Sequence, residues 1–98
     1  MRTFIRRPAA RVDLIEIWIW STEKWGQAKA DDYLAAFDRA YLILAEHPNI
    51  GIDCSHIRKG LRGYVVEHHH VYYLEADMVI EIVRVLHERI VPDRRLDD

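Results

Sequence analysis

The segment Glu67-His68-His69-His70-Val71-Tyr72-Tyr73 crowds imidazoles, a carboxylate and phenols together, and His87 adds another imidazole downstream. Such residues can hold a metal ion or move protons near neutral pH. Their spacing decides between these uses. A zinc site needs three or four ligands converging at about 2 Å from the ion, whereas neighbouring residues of a strand point to opposite faces. In an extended segment His68 and His70 share one face and His69 opposes them, and no Cys/His or His-x-x-x-His spacing supplies further ligands. The pattern predicts neither a metal nor a cofactor. Acid–base catalysis needs an imidazole within hydrogen-bond reach of a substrate proton, oriented by a second group. His87 stands beside Glu88 and Arg89, and His69 could approach it across a sheet. The chain has no nucleophile elbow, carboxylate pair or Gly-rich phosphate cradle. Cys54, Ser55 and His56 are adjacent in a predicted loop, and neighbours in sequence seldom form a triad in space. No catalytic residue is assigned on these grounds.

Two other features stand out. Trp18, Trp20 and Trp25 read as packing residues, with Trp20 as the one expected to be exposed and to anchor a protein partner. Arg84 interrupts an apolar run. It either pairs with a carboxylate such as Glu67 or Glu81 or points into a functional groove.

The elements that must carry these residues follow from pattern. Arg2–Arg6 is a short edge strand stopped by Pro8, and Pro8 suits the first turn of a helix. Val12, Ile15, Trp18/Ile19, Thr22 and Trp25 recur at helical spacing, with Gly26 placed to end the helix. Leu14, Ile17 and Trp20 widen the stripe, so this helix has two apolar contacts to satisfy. A second helix spans about Gln27 to Glu46, with Ala30, Tyr33/Leu34, Phe37, Ala40/Tyr41 and Leu44 in phase and Pro48 beyond its end. From Arg62 onward, β-branched and aromatic residues predict strands, with turns near Glu67–His68 and within Glu75–Met78. The expected class is α+β in the order β-α-α-β-β-β: a helical hairpin packed on a small antiparallel sheet, with the first strand added at an edge.

A chain of 98 residues is expected to form a single domain, 1–98. The lone Cys54 excludes an internal disulfide. Arg11, Asp13 and Glu16 interrupt any signal-peptide core, and no run is long enough to span a membrane, so a cytoplasmic protein is expected. The net charge of −2 argues against a dedicated nucleic-acid binder. Basic residues nonetheless gather at both ends and mid-chain, with acids between, which suits protein partners of opposite charge.

Five segments resemble one family in order and spacing. They are "PAARVDLIEIW" from Pro8, "WGQAKADDYLAAF" from Trp25, "LAEHPNIG" from Leu44, "IRKGLRGYVVEHHHVYY" from Ile57 and "IEIVRVLHERIVPDRRL" from Ile80. Together they resemble the ParE toxins of type II toxin–antitoxin modules, within the RelE/ParE superfamily. The resemblance implies a toxin without catalytic residues or cofactor that binds DNA gyrase and stalls it on cleaved DNA. It also implies a ParD-like ribbon-helix-helix antitoxin as partner, with nucleic acid reached only through gyrase or that antitoxin. His69 matches the family's strand start. Arg58, Arg62, Arg84, His87 and Arg89 match family motif positions, and with Arg94 and Arg95 they form the expected partner-binding residues; Trp20 is an expected antitoxin contact. The sister RelE-like branch, ribosome-dependent mRNA endoribonucleases, uses arginines on the third strand and just after the fourth. His70 and Glu88 occupy those places here, and a carboxylate repels a scissile phosphate. A third reading is a non-toxic relic that acts only with the antitoxin in operon repression. The chain departs from the family in Ile90-Val91-Pro92, where a Met-Asp pair is more usual, and in "EHH", which replaces a Gly/Ser turn.

Overall fold

Pro8 and Gly26 set the boundaries from which the fold is built. A computed structural model describes residues 2–92. Strand β1 spans Thr3–Arg6, helix α1 Pro8–Trp25 and helix α2 Gln27–Glu46. The short strand β2 (Ile52–Asp53) is followed by β3 (Arg62–Val66), β4 (His69–Ala76) and β5 (Val79–His87). Gly26 joins the helices at φ 90° and ψ 165°, a region open essentially to glycine alone. It differs from the left-handed helix cap expected from sequence, because a single residue must reverse the chain between antiparallel helices.

The sheet order is β1-β5-β4-β3-β2. The central β3-β4-β5 ladder is antiparallel, with two-residue turns at Glu67–His68 and Asp77–Met78. β1 lies at an edge as expected and joins β5 in parallel. β2, which the sequence pattern did not predict, pairs with β3 at the other edge through Gly63 and Arg62. Glu67 (φ 55°) and Met78 (φ 58°) each hold a left-handed conformation, a costly geometry for non-glycine residues and the price of replacing a glycine turn.

Helix α1 corrects the sequence reading of its faces. The stripe Val12, Ile15 and Ile19 faces solvent, and the helix buries Ala10, Asp13, Leu14, Ile17 and Ser21 instead. Both sides are apolar, so the pattern alone could not decide which one packs. The main core joins Leu14 and Ile17 to Phe37, Tyr41 and Leu44 of α2 and to Val71, Tyr73, Ile80, Ile82 and Val85 of the sheet. A smaller cluster on the opposite sheet face gathers Leu61, Tyr72, Val83 and Leu86 under the 54–61 loop. Tyr73 locks the connection after α2: its hydroxyl donates to the Pro48 carbonyl at 2.8 Å and accepts from Gly51 N–H at 3.0 Å. A side chain at position 51 would collide with that hydroxyl.

Candidate functional site

The end of β1 creates the local problem around which one cleft is built. β1 pairs with β5 only as far as Arg6 opposite Ile82, and Arg7 N–H closes the ladder on the Ile82 carbonyl. Beyond that point β5 bulges: Tyr72 faces Arg84 and Tyr73 faces Ile82, leaving Val83 unopposed. Asp13 of α1 takes over where the strand stops. Its Oδ2 accepts the Val85 backbone N–H at 3.0 Å and Arg84 Nε at 2.7 Å, while Oδ1 accepts Arg84 Nη2 at 2.7 Å. A buried carboxylate is tolerable because both oxygens are engaged by a planar guanidinium fork and a backbone donor.

Above this clamp lies a cleft of about 360 Å³ between α1 and the end of β5. Asp13, Glu16, Ile17 and Trp20 line one wall; Arg84 to His87 and Ile90 line the other, and His69 contributes as well. His69 is buried, and its Nδ1 lies 2.8 Å from the Tyr33 hydroxyl of α2. Burial, reinforced by neighbouring His87, pulls the His69 pKa down to about 4, so the ring is neutral at pH 7. When Tyr33 O–H donates to Nδ1, the ring proton sits on Nε2. Edge-on ring contacts then link Trp20 to Trp25 (5.4 Å), Trp25 to Tyr33 (5.7 Å), Tyr33 to His69 (5.8 Å) and His69 to His87 (5.3 Å).

The three consecutive histidines diverge. His68 meets Glu88 at 3.0 Å, His69 meets Tyr33, and His70 Nδ1 lies 3.2 Å from the Tyr72 hydroxyl. Among the described residues no group of three or more His, Cys, Asp or Glu side chains is arranged to hold a metal ion.

The expected partner-binding residues do not form one patch. Arg62 of β3 donates to the Gly51 carbonyl at 2.9 Å and the Asn49 carbonyl at 3.4 Å, fastening the loop after α2. Arg58 is half-buried in the 54–61 loop, whose Leu61 N–H donates to its carbonyl. Arg84 is clamped to Asp13 rather than to Glu67 or Glu81, and Glu81 pairs with Arg7 at 3.1 Å. His87 and Arg89 adjoin at the end of β5, where Arg89 N–H donates to His87 Nδ1 at 3.2 Å. Arg94 and Arg95 lie outside the described residues. Trp20 is exposed at the cleft, as expected. Trp25 is exposed too, and half-buried Trp18 donates to Asp31 Oδ1 at 2.9 Å, so the tryptophans are not a core set. Sequence reasoning missed Asp13, Glu16 and Tyr33. The readable signal was Asp13, a carboxylate in phase with Ala10, Leu14 and Ile17.

Residues 4–92 match the family described as ParE toxin of type II toxin-antitoxin system, parDE. The chain belongs to the ParE toxin family. It is 36% identical over 94 residues to Toxin ParE1 of Mycobacterium tuberculosis, covering 95% of this chain and 96% of that protein. Toxin ParE1 of Caulobacter vibrioides is 35% identical over 79 residues, covering 81% of each. A solved chain from the chromosomal ParDE system of P. aeruginosa superposes with a TM-score of 0.75 over 89% of this chain and 95% of that one. At 19% identity that likeness concerns the fold. The ParE assignment makes this chain a toxin of a ParDE-type toxin–antitoxin system. Within this ParE fold no helix among the described residues is long and apolar enough to cross a membrane.

Proposed function

We propose that this toxin arrests growth by binding DNA gyrase in the cytoplasm, catalysing no reaction of its own, and that a ParD-like antitoxin neutralises it by covering its apolar surface. The observation that carries the reading is the 36% identity to Toxin ParE1 along 95% of the chain. The chemistry of the sheet end supports it. An RNA-cleaving site must activate a 2′-hydroxyl and stabilise a phosphorane's charge with free cations. Here Arg84 is bound by Asp13, His69 is neutral and buried, and Glu88 pairs with His68. These engagements disfavour a RelE-like nuclease built on His70 and His87. His87 and Arg89, which adjoin at the end of β5, are the residues best placed to meet a large protein partner, whereas Arg62 and Arg84 hold the fold together.

Expression of the chain without an antitoxin tests the toxin reading in cells. Growth arrest, reversed by the antitoxin encoded beside it, is the expected outcome. Unchanged growth with the folded protein present would identify a relic that serves only operon repression.

A further inference from the structure

The two histidines that line the cleft at the end of β5 have their ring protons set by the groups around them. Tyr33 turns its oxygen to the His68 backbone, so its own proton is directed at His69 Nδ1, 2.8 Å away. The His69 ring is neutral at pH 7, and its proton therefore sits on Nε2. His87 Nδ1 accepts the Arg89 backbone N–H at 3.2 Å, which places the His87 proton on Nε2 as well. The rings meet edge-on with centroids 5.3 Å apart, and both belong to the cleft lining. Each Nε2 is thus an N–H donor, with no lone pair for a metal ion or for taking up a proton.

The charges beside these donors decide what they can hold. Asp13 and Arg84 offset each other. Glu16 of α1 also lines the cleft, is exposed, and forms no ion pair among the described residues. A phosphate or carboxylate would satisfy the N–H donors but be repelled by Glu16, and an ammonium would satisfy Glu16 but oppose the donors. An amide meets both demands, its oxygen accepting from imidazole and its N–H donating to the carboxylate. Ile17, Trp20, Leu86 and Ile90 give the same cleft an apolar wall.

We propose that this cleft holds an uncharged, amide-bearing segment of gyrase, its carbonyl oxygen on the His69 and His87 N–H groups, its N–H on Glu16 and an apolar neighbour against Trp20. The proposal rests on the gyrase reading above and names the surface that gyrase uses. Gyrase is the favoured occupant because the cleft is continuous with Arg89, at the end of β5 already assigned to it. The cleft also occupies a different side of α1 from the exposed Val12, Ile15 and Ile19 stripe, the apolar surface left to the antitoxin.

The test measures inhibition of gyrase supercoiling and affinity for the co-encoded antitoxin in parallel, for the wild type, Glu16→Lys and His87→Phe. Glu16 is exposed, so its replacement should leave the circular dichroism spectrum unchanged, and antitoxin binding reports the fold of both variants. The half-inhibitory concentration toward gyrase should rise about tenfold in each, the loss expected when a hydrogen bond to a charged group or a buried donor is removed. Antitoxin affinity should stay at the wild-type value. Nitrogen-15 NMR of the imidazoles should show both rings protonated on Nε2, and protons on both Nδ1 atoms would overturn the site. Undiminished gyrase inhibition by both folded variants would overturn it while leaving the gyrase reading intact. Weakened antitoxin binding with gyrase inhibition unchanged would overturn it by giving the cleft to the antitoxin. A wild type without effect on gyrase would overturn the gyrase reading itself.

Discussion

Asp13 shows how one residue settles a gap in the architecture. Its carboxylate covers the stretch of β5 that β1 leaves unpaired and fixes Arg84 at 2.7 Å through each oxygen. Arg84 stands out in the sequence because a guanidinium amid Ile82, Val83, Val85 and Leu86 needs a partner. Which partner was not legible, since Asp13 lies 71 positions away and only the assembled helix-on-sheet contact brings the two together. Arg84→Ala leaves the buried Asp13 carboxylate without its counter-charge, and removing one member of such a pair costs about 3–5 kcal/mol. Urea denaturation should show a loss of that size. A midpoint equal to that of the wild type would mean that solvent already screens the pair. Loss of toxicity in an Arg84 variant therefore has to be judged against its stability before it is assigned to a lost contact.

At the scale of elements, punctuation residues were the most readable. Pro8, Gly26 and Pro48 bound the two helices, and the polar Glu67–His68 pair marks the first hairpin turn. Pairing was less readable. β1 joins in parallel, β2 is only two residues long, and a bulge at Val83 interrupts the β4–β5 ladder. The burial of α1 was hidden because its two faces are similarly apolar. His69 ties β4 to α2 through Tyr33, and this tie has a pH signature. In the folded state burial holds the His69 pKa at about 4, against an ordinary value of 6.5. Above pH 6.5 the ring is neutral whether folded or unfolded, so the linkage contributes nothing to the pH dependence there. As pH falls from 6.5 to 4, the unfolded chain binds a proton that the folded ring refuses, and stability declines. Thermal unfolding should thus show a lower Tm at pH 4.5 than at pH 7.5. His69→Gln keeps an acceptor for Tyr33 but does not titrate, and its Tm should fall less over that interval. Parallel declines in both proteins would place the pH sensitivity elsewhere.

At the scale of the whole molecule, the described residues form several shallow clefts and an apolar stripe on α1. The five family segments begin at Pro8 and foretold the helical hairpin and the β3-β4-β5 ladder, but not β2. They were a poorer guide to surface, because arginines matching motif positions can serve the scaffold: Arg62 and Arg84 do so, while His87 and Arg89 remain near the cleft mouth. Motif spacing records where a residue stands along the chain, whereas its availability depends on which carboxylate or carbonyl folds against it. The gyrase reading leaves those surface side chains to meet protein, with the buried pairs acting only as framework.

The most direct test incubates purified, antitoxin-free protein with DNA gyrase and supercoiling substrate, and in parallel with a translating extract carrying labelled messenger RNA. The account predicts loss of supercoiling, accumulation of cleaved DNA bound to gyrase, and intact RNA. Unimpaired gyrase with ribosome-dependent RNA cleavage would contradict it and move attention to His70 and His87.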